Sequence, residues 1–427
     1  MLFLLLLVCV FVLFLNYHVL KANYRLLNPV NVYAIAWALV MIMYRIIFDE
    51  YVAFRVYLCI ILSVIFLAVG FWLMCNKRIY FKTNGHFEYS QMNINYLRTL
   101  LIIFTVLNVS RCILVFYTVY NAAGRNLQFA LSGSTALRLQ YLERNTSAIM
   151  AILTVFLTVN AFVGYIVLGI NLAKKGKNRV FFFAIWTVME FFASYVGMSK
   201  MNFFIYIIVL SFSYLNYIES IKLQFKQVRR LLPPTIILLI SLMVVIGLQR
   251  NYSTNGESML VHVVKGAMFY FCGSVSALNS YINSTASDYS IISNTASIFY
   301  KIFVRLGIVE NSSITNHLQT VVTSLGTTNS YSWFLPFYKD LSLFGMIFYP
   351  FLFGLLAGVV YNKKTNTLAE TTINASFCVL FAMSFYQFTW SQGSYFYVIF
   401  YVLIIQYFIR KCLYNNRDTE QNGGITS

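Results

Sequence analysis

Residues 53–75 read AFRVYLCIILSVIFLAVGFWLMC, and this stretch decides the fold. It contains one charged side chain, Arg55, at its start. About 20 consecutive apolar residues in a helix cross the ~30 Å hydrocarbon core of a bilayer. Because no water is available there to satisfy the backbone, a run of this length predicts a transmembrane helix.

The whole chain repeats this pattern. Of its 427 residues 59% are hydrophobic and 10% are charged, and the mean hydropathy is +0.71. A soluble domain carries about 25% charged residues, and a membrane β-barrel has short alternating segments instead of long apolar runs. We therefore expect an all-α polytopic integral membrane protein. Met1–Leu15 lacks a basic leader and a cleavage site, so it predicts a retained first helix.

Eleven apolar runs define the predicted spans. They cover residues 2–20, 28–48, 53–75, 99–120, 148–172, 180–197, 202–218, 233–249, 341–361, 371–390 and 394–412. Asn28-Pro29 opens the second span as an N-cap followed by proline at the first helical position. The predicted organisation is helices 1–8 in residues 1–249, a large loop at 250–340, helices 9–11 in 341–412 and a tail at 413–427.

Basic residues fix the predicted orientation. The net charge of +18 could indicate nucleic-acid binding, but most Lys and Arg lie in every second connection between spans. Examples are Lys21 and Arg25, Lys174 and Lys175, and Arg229 and Arg230. Basic connections stay in the cytoplasm. This alternation predicts that the N-terminus lies outside and the C-terminus in the cytoplasm, and it leaves no basic surface for a nucleic-acid partner.

Two of the predicted outward connections are long, at 121–147 and 250–340. Loops beyond about 12–15 residues are usually functional or disordered. Within the larger loop, apolar residues keep helical spacing at 258–271 and again from Ile298 to Leu306. These patterns predict two amphipathic helices on the membrane surface or over a cavity.

The short inward connections leave no room for a nucleotide-binding domain, and the chain has no Walker, GxGxxG or HExxH motif. Chemistry would therefore take place on the outer face, where ATP and nucleotide sugars are absent. An enzyme there needs a substrate that arrives already activated. A sugar linked to a polyprenyl pyrophosphate meets that requirement, because the lipid lies in the bilayer and the pyrophosphate is a leaving group.

The segment Thr328–Tyr361, TNSYSWFLPFYKDLSLFGMIFYPFLFGLLAGVVY, resembles O-antigen and capsule repeat-unit polymerases around the helix after their large periplasmic loop. The similar features are Thr328-Asn329, Phe337-Tyr338, Asp340, Gly345, Gly354, Gly358 and Tyr361. Leu27-Asn28-Pro29 with Trp37, and Tyr270-Phe271-Cys272-Gly273-Ser274 with Ala277-Leu278, are similar too. Relatives often have Asp-Phe-Gly where this chain has Asp340-Leu341-Ser342.

This resemblance implies a metal-independent, GT-C-like membrane glycosyltransferase without a cofactor. Such enzymes move a growing glycan from undecaprenyl pyrophosphate to the non-reducing end of a new lipid-linked unit. The implied partners are the lipid-linked donor and acceptor, membrane lipids and a chain-length regulator.

Arginines in the outward connections are candidates for the leaving group, because fixed cations stabilise the charge that develops on a pyrophosphate and the guanidinium binds phosphate oxygens bidentately. They are Arg125, Arg138, Arg144, Arg250 and Arg305. Arg138 and Arg305 are the predicted catalytic pair, and Arg125 and Arg250 are predicted to bind substrate. A headgroup-binding arginine is the alternative interpretation of each.

Asp340 is the predicted general base, because it stands at the outer mouth of the ninth span. A charge at a helix N-terminus explains it equally well. His317, Tyr270, Asn329 and Tyr338 are further predicted substrate-binding residues. The aromatic cluster Tyr331, Trp333, Phe337 and Tyr338 fits either sugar stacking or interfacial anchoring.

Two charges fall inside predicted spans, Arg111 and Glu190, both near mid-depth. Intramembrane charges are costly and usually paired, so we expect these two to form a structural ion pair. The glycines Gly345, Gly354 and Gly358 indicate close helix packing.

Two other functions remain open at the level of sequence. A lipid-linked oligosaccharide flippase or other transporter would have an even helix count, short loops and charges lining a central cavity. An O-antigen ligase shares the predicted architecture but transfers the glycan to a different acceptor.

Overall fold

The computed structural model is a bundle of long helices, as the apolar runs predict. It describes residues 1–21, 24–48, 51–75, 94–132, 137, 148–176, 178–197, 200–218, 222–230, 233, 237, 241, 259–283, 295, 321–323, 326–328, 332–362, 368–386, 389 and 397–405.

The first eight helices and their bounds are α1 Leu2–Leu20, α2 Pro29–Phe48, α3 Phe54–Cys75, α4 Ile94–Ala122, α5 Leu127–Ser132, α6 Ala148–Ala173, α7 Arg179–Val196 and α8 Lys200–Asn216. They are followed by α9 Met259–Asn283, the antiparallel hairpin β1 Val321–Thr323 and β2 Gly326–Thr328, α10 Phe334–Asn362 and α11 Leu368–Ala382. The backbone is also helical at 222–230 and 397–405.

Within the described residues, seven helices are long and apolar enough to cross a membrane: α1, α2, α3, α4, α6, α7 and α10. The apolar α8 and α11 are shorter. The predicted spans at 233–249 and 394–412 lie mostly outside the described residues, so the count of eleven stays a prediction.

Buried side chains form two large clusters. One joins α1, α2, α3, α9 and α10, and the other joins α4, α6, α7 and α8. Helix α11 belongs to both, because Phe381 packs into the first cluster and Val379 into the second. The two helix groups therefore share α11 as their common wall.

Helices α3 and α10 make the most extensive contact in the bundle. A Cβ on Gly354 would collide with the Leu67 carbonyl, and one on Gly70 with the Phe351 carbonyl. Gly358 lies against Phe71 and Cys75 further along the same direction, so the two helices run parallel. The expectation of glycine-mediated packing is confirmed, because small residues let two backbones approach closely without a hydrophobic driving force.

A buried polar network holds the connection between α1 and α2. The Asn28 side chain accepts the Asn31 amide N–H at 3.0 Å, which confirms the predicted N-cap. Asn16 donates to the side-chain oxygens of Asn28 and Asn31, at 2.8 Å each, and accepts from the Trp72 indole at 2.9 Å. Asn31 donates to the Tyr24 hydroxyl at 2.7 Å. Burial raises the pKa of Tyr24, so this hydroxyl stays neutral at physiological pH.

The same end of the bundle carries Lys21, Arg25, Lys174, Lys175, Arg179 and the segment 222–230, and we call it the basic end. Gln224 ties two of its connections together, accepting the Leu26 amide N–H at 3.1 Å and donating to the Ile218 carbonyl at 2.6 Å. The opposite, or far, end holds the connection between α2 and α3, where Asn279 of α9 accepts the Ala53 amide N–H at 2.9 Å.

Three elements differ from the sequence expectation. Helix α9 contains the apolar pattern at 258–271 and continues beyond it to Asn283. Its second half is buried against α2, as Cys272 and Leu278 show. Helix α10 begins at Phe334 instead of 341 and breaks at Leu341 and Ser342. Helix α11 ends at Ala382 instead of 390, because the following chain turns to bond the start of α10.

Candidate functional site

Helix α10 folds back on itself near the far end. Leu341 and Ser342 have non-helical dihedrals, and Ser342 has φ 53° and ψ −141°. Phe337 stacks on Tyr349 at 4.8 Å between ring centres, and Trp333 stacks on Phe353 at 5.9 Å. Positions before the break therefore lie beside positions after it. Gly345 permits this, because a Cβ there would collide with the Phe337 carbonyl. The short arm 334–340 is re-entrant, and the long arm of about 20 residues suffices to cross a bilayer.

The start of the short arm lies deep among the helices. Trp333 is fully buried and donates its indole N–H to the Tyr33 hydroxyl of α2 at 3.1 Å. Its backbone N–H donates to the Ser384 carbonyl at 2.8 Å, in the turn that follows α11. The Ser274 hydroxyl of α9 donates to the neighbouring Phe385 carbonyl. Irregular backbone is tolerated at membrane depth where protein groups satisfy it. Two of these bonds do so here, at the Trp333 N–H and at the Phe385 carbonyl.

Asp340 stands at the tip of the re-entrant arm. Its side chain is buried, with 2% exposed, and Oδ2 accepts the Thr295 backbone N–H at 2.8 Å. Tyr338 packs edge-on against Tyr281 of α9 at 6.2 Å, and the Lys339 ammonium lies 5.3 Å from the centre of the same Tyr281 ring. Asp340 therefore lies at the far end, where the Thr295 amide bonds it and α9 contacts the neighbouring Tyr338 and Lys339.

The aromatic cluster plays a structural part. Trp333 and Phe337 are fully buried and surrounded by the rings of Tyr33, Phe353 and Phe381. In this conformation neither ring presents a face to a sugar. Tyr338 is half-buried and remains accessible in part, whereas Tyr331 lies outside the described residues.

The other predicted site residues are only partly described. Arg125 is exposed in the turn after α4 and has φ 65°. Its neighbour Ala123 belongs to a small cluster separate from the one that contains Phe337. Arg138, Arg250, Arg305, His317 and Asn329 lie outside the described residues, and so does the side chain of Tyr270, whose backbone is in α9. In the described part of the chain, no three His, Cys, Asp or Glu side chains come together as a metal site would require.

Arg111 and Glu190 form the ion pair that the sequence predicts. Arg111 Nη2 donates to Glu190 Oε2, and Arg111 Nε donates to Asn108 Oδ1 at 2.8 Å. Ser194 Oγ donates to Glu190 Oε1 at 3.4 Å, and the guanidinium lies 5.2 Å from the centre of the Tyr206 ring. Both charged side chains are almost fully buried. The pair joins α4 to α7 and needs these extra donors and acceptors because two desolvated charges alone are costly.

Sequence reasoning missed a cavity of about 390 Å³ between α6, α7, α8 and the segment 222–230. It extends from Glu190 and Tyr206 to Lys175, Arg179 and Arg230 at the basic end. The sequence does show paired basic residues at the two connections that surround this cavity. The positive-inside rule explains the same residues, so they did not indicate a cavity. Only the helix packing distinguishes a cavity mouth from a topogenic cluster.

Comparisons with protein-family models, with curated proteins and with solved structures find no match for this chain.

Replacing Ser342 by glycine should stabilise the protein. A φ of 53° is costly for a residue with a Cβ, by roughly 1–3 kcal/mol, and costs glycine little. We expect Ser342→Gly to raise the midpoint of thermal unfolding in detergent and Ser342→Val to lower it. Leu352→Val, at a partly exposed position of the same helix, should change it little. A lower midpoint for Ser342→Gly would contradict the break described here.

A double-mutant cycle should measure strong coupling between Arg111 and Glu190. Removing one partner leaves the other charge buried, so each single alanine variant should lose about 3–5 kcal/mol of stability. The loss of stability in the double variant Arg111→Ala/Glu190→Ala should be smaller than the sum of the two single losses, by at least about 1 kcal/mol. The exposed Arg125→Ala serves as control. A double variant whose loss equals the sum of the two single losses would refute the coupling.

Proposed function

We propose that the protein is a polymerase of undecaprenyl-pyrophosphate-linked oligosaccharide repeat units, of the O-antigen or capsule type, which acts on the non-cytoplasmic face of a bacterial inner membrane. The observation that carries the proposal is the re-entrant arm 334–340, with Asp340 at its tip. It falls within the stretch that resembles repeat-unit polymerases. The alternation of basic connections supports the assignment of the far end to the periplasm.

Helix α11 ends inside the bundle. Helix α11 has 15 residues, so at ~1.5 Å per residue it spans roughly 22 Å, less than the bilayer core. The turn after it, the re-entrant arm and the second half of α9 converge there. In the proposal, the lipid-linked substrate reaches the place where these elements meet, with its carrier in the bilayer and its sugars outside.

In the proposed reaction a hydroxyl at the non-reducing end of the new unit attacks the anomeric carbon of the growing glycan. The bond from that carbon to the pyrophosphate oxygen breaks, and undecaprenyl pyrophosphate leaves. Asp340 takes the hydroxyl proton as general base, and outward arginines, with Arg138 and Arg305 preferred, bind the charge that develops on the pyrophosphate. Because Asp340 is buried and its carboxylate is bonded to the Thr295 amide, this contact has to open before a substrate can reach the carboxylate.

One observation favours a transporter as the second candidate. The cavity brings three basic side chains at the basic end into line with Glu190 at mid-depth, and charges along a cavity are what a flippase requires. Deletion of the gene separates the candidates, as described below.

The orientation can be measured with reporter fusions. We expect fusions after Leu20 and within 222–230 to be active only with a cytoplasmic reporter, and fusions after Tyr51 and Arg125 only with a periplasmic one. Fusions within 250–340 should behave like those after Tyr51. A cytoplasmic location for residues 250–340 would remove the proposed site from its substrate.

Deletion followed by complementation tests the activity. Electrophoresis of surface polysaccharide from a polymerase null should show core capped with a single repeat unit, whereas a flippase or ligase null should show none. Asp340→Asn keeps an acceptor oxygen for the Thr295 N–H but loses the base, so it should fold normally and lower the rate of polymerisation by about 10²–10⁴-fold.

The matched control is Glu370→Gln, the same change of group in α11 at the basic end, which should complement fully. Full activity of Asp340→Asn would assign Asp340 a structural role only.

A further inference from the structure

The cavity at the basic end carries positive charge at its mouth. Lys175 and Arg230 are exposed and Arg179 is half-buried, and all three line the opening. Among the described residues, Glu190 is the one acidic side chain that lines the cavity, and it lies at the floor, bonded to Arg111. In that part of the chain the mouth holds three cations with no lining carboxylate beside them.

The N-terminus of α7 adds to this charge. The N-cap residue Asn178 has a left-handed backbone and no side-chain hydrogen bond to the first turn. The first amide N–H groups of a helix lack intrahelical partners and carry the positive end of its dipole. Amide groups and basic side chains together favour a phosphate at this position.

The interior is largely apolar and continuous with the lipid-facing surface of α7. Phe183 lines the cavity and is 40% exposed, and it lies between the exposed Val180 and Val188 on the same helix. Phe203 and Leu210 of α8 line the cavity as well. An apolar chain can therefore pass from the bilayer into the cavity, whereas a soluble anion would find few polar partners below the mouth.

The depth matches one leaflet. From Arg179 at the mouth to Glu190 at the floor α7 rises eleven residues, or roughly 16 Å. This is about half of the ~30 Å hydrocarbon core. A phosphate placed at the mouth thus leaves room for one hydrocarbon chain that extends to the middle of the membrane.

We propose that this cavity binds one anionic lipid from the leaflet at the basic end. Its phosphate lies between Lys175, Arg179 and Arg230, and a hydrocarbon chain runs between α7 and α8 towards Glu190. The proposal does not depend on glycan polymerisation, and the phosphate can belong to a phospholipid or to a polyprenyl phosphate.

Binding can be measured on the full-length protein in neutral detergent. Phosphatidylglycerol should raise the midpoint of thermal unfolding, because a ligand that binds only the folded state stabilises it, and native mass spectrometry should show one retained lipid. Phosphatidylcholine with the same chains and inorganic phosphate should each bind at least tenfold more weakly. Polyprenyl phosphate, tested alongside, decides which phosphate lipid binds more tightly.

The variant Lys175→Gln/Arg179→Gln/Arg230→Gln should weaken phosphatidylglycerol binding by about 10²-fold, at ~1 kcal/mol for each basic residue near anionic lipid. Its matched control, Lys222→Gln/Lys226→Gln/Arg229→Gln, removes the same charge from exposed residues of the segment 222–230 that do not line the cavity. The control should keep the affinity within about twofold.

A second variant tests the chain path. Ser211→Phe places a ring in the cavity and should abolish the retained lipid while leaving the unfolding midpoint of the lipid-free protein within a few degrees. Thr154→Phe, on an exposed face of α6, is its control. Equal loss of affinity in both charge variants, equal stabilisation by phosphatidylcholine or by free phosphate, or lipid retained by Ser211→Phe would each overturn the proposal.

Discussion

The close contact between α3 and α10 is the interaction on which the rest of the bundle depends. Gly70, Gly354 and Gly358 let the two backbones approach closely between residues 67–75 of α3 and 351–358 of α10. In a bilayer this contact gains little from the hydrophobic effect, so tight packing has to supply its stability. The contact fixes the long arm of α10, and the long arm in turn determines where the chain breaks at Ser342 and where Asp340 stands.

The helices form two groups that share α11, and each group carries one region with functional potential. The first group encloses the re-entrant arm at the far end. The second encloses the cavity that opens at the basic end and reaches the Arg111–Glu190 pair. Both ends of each helix are in contact with water, whereas its middle is in lipid or protein. Because each helix presents different residues at its two ends, the two regions can lie at opposite ends of the bundle.

Polar groups inside the bundle are compensated locally. The asparagines at positions 16, 28 and 31 satisfy one another and the start of α2, and the buried arginine at position 111 has three kinds of partner: a carboxylate, an amide oxygen and an aromatic ring. The cost of an unsatisfied polar group in a medium of low dielectric explains why these side chains occur in clusters. The first cluster joins the consecutive helices α1 and α2, whereas the second joins α4 to α7, which are separated in the chain.

The sequence by itself determined that the chain is a helical membrane protein, where α1, α2 and α3 begin and end to within a residue or two, and that Arg111 pairs with Glu190. These conclusions follow from local properties, namely apolar length, the Asn28-Pro29 start and the cost of isolated charge in lipid. The seven long helices confirm the class, whereas the function, the orientation and the full count of spans remain proposals.

Only the tertiary structure decided that α10 folds back, that the second half of α9 is buried, that Trp333 belongs to the core, and that basic residues from two connections surround a cavity. These features depend on contacts between segments that are distant in the chain, such as Trp333 with Tyr33 or Ser274 with Phe385. Hydrophobic periodicity reports how much of a segment avoids water, but it carries no information about which partner covers it.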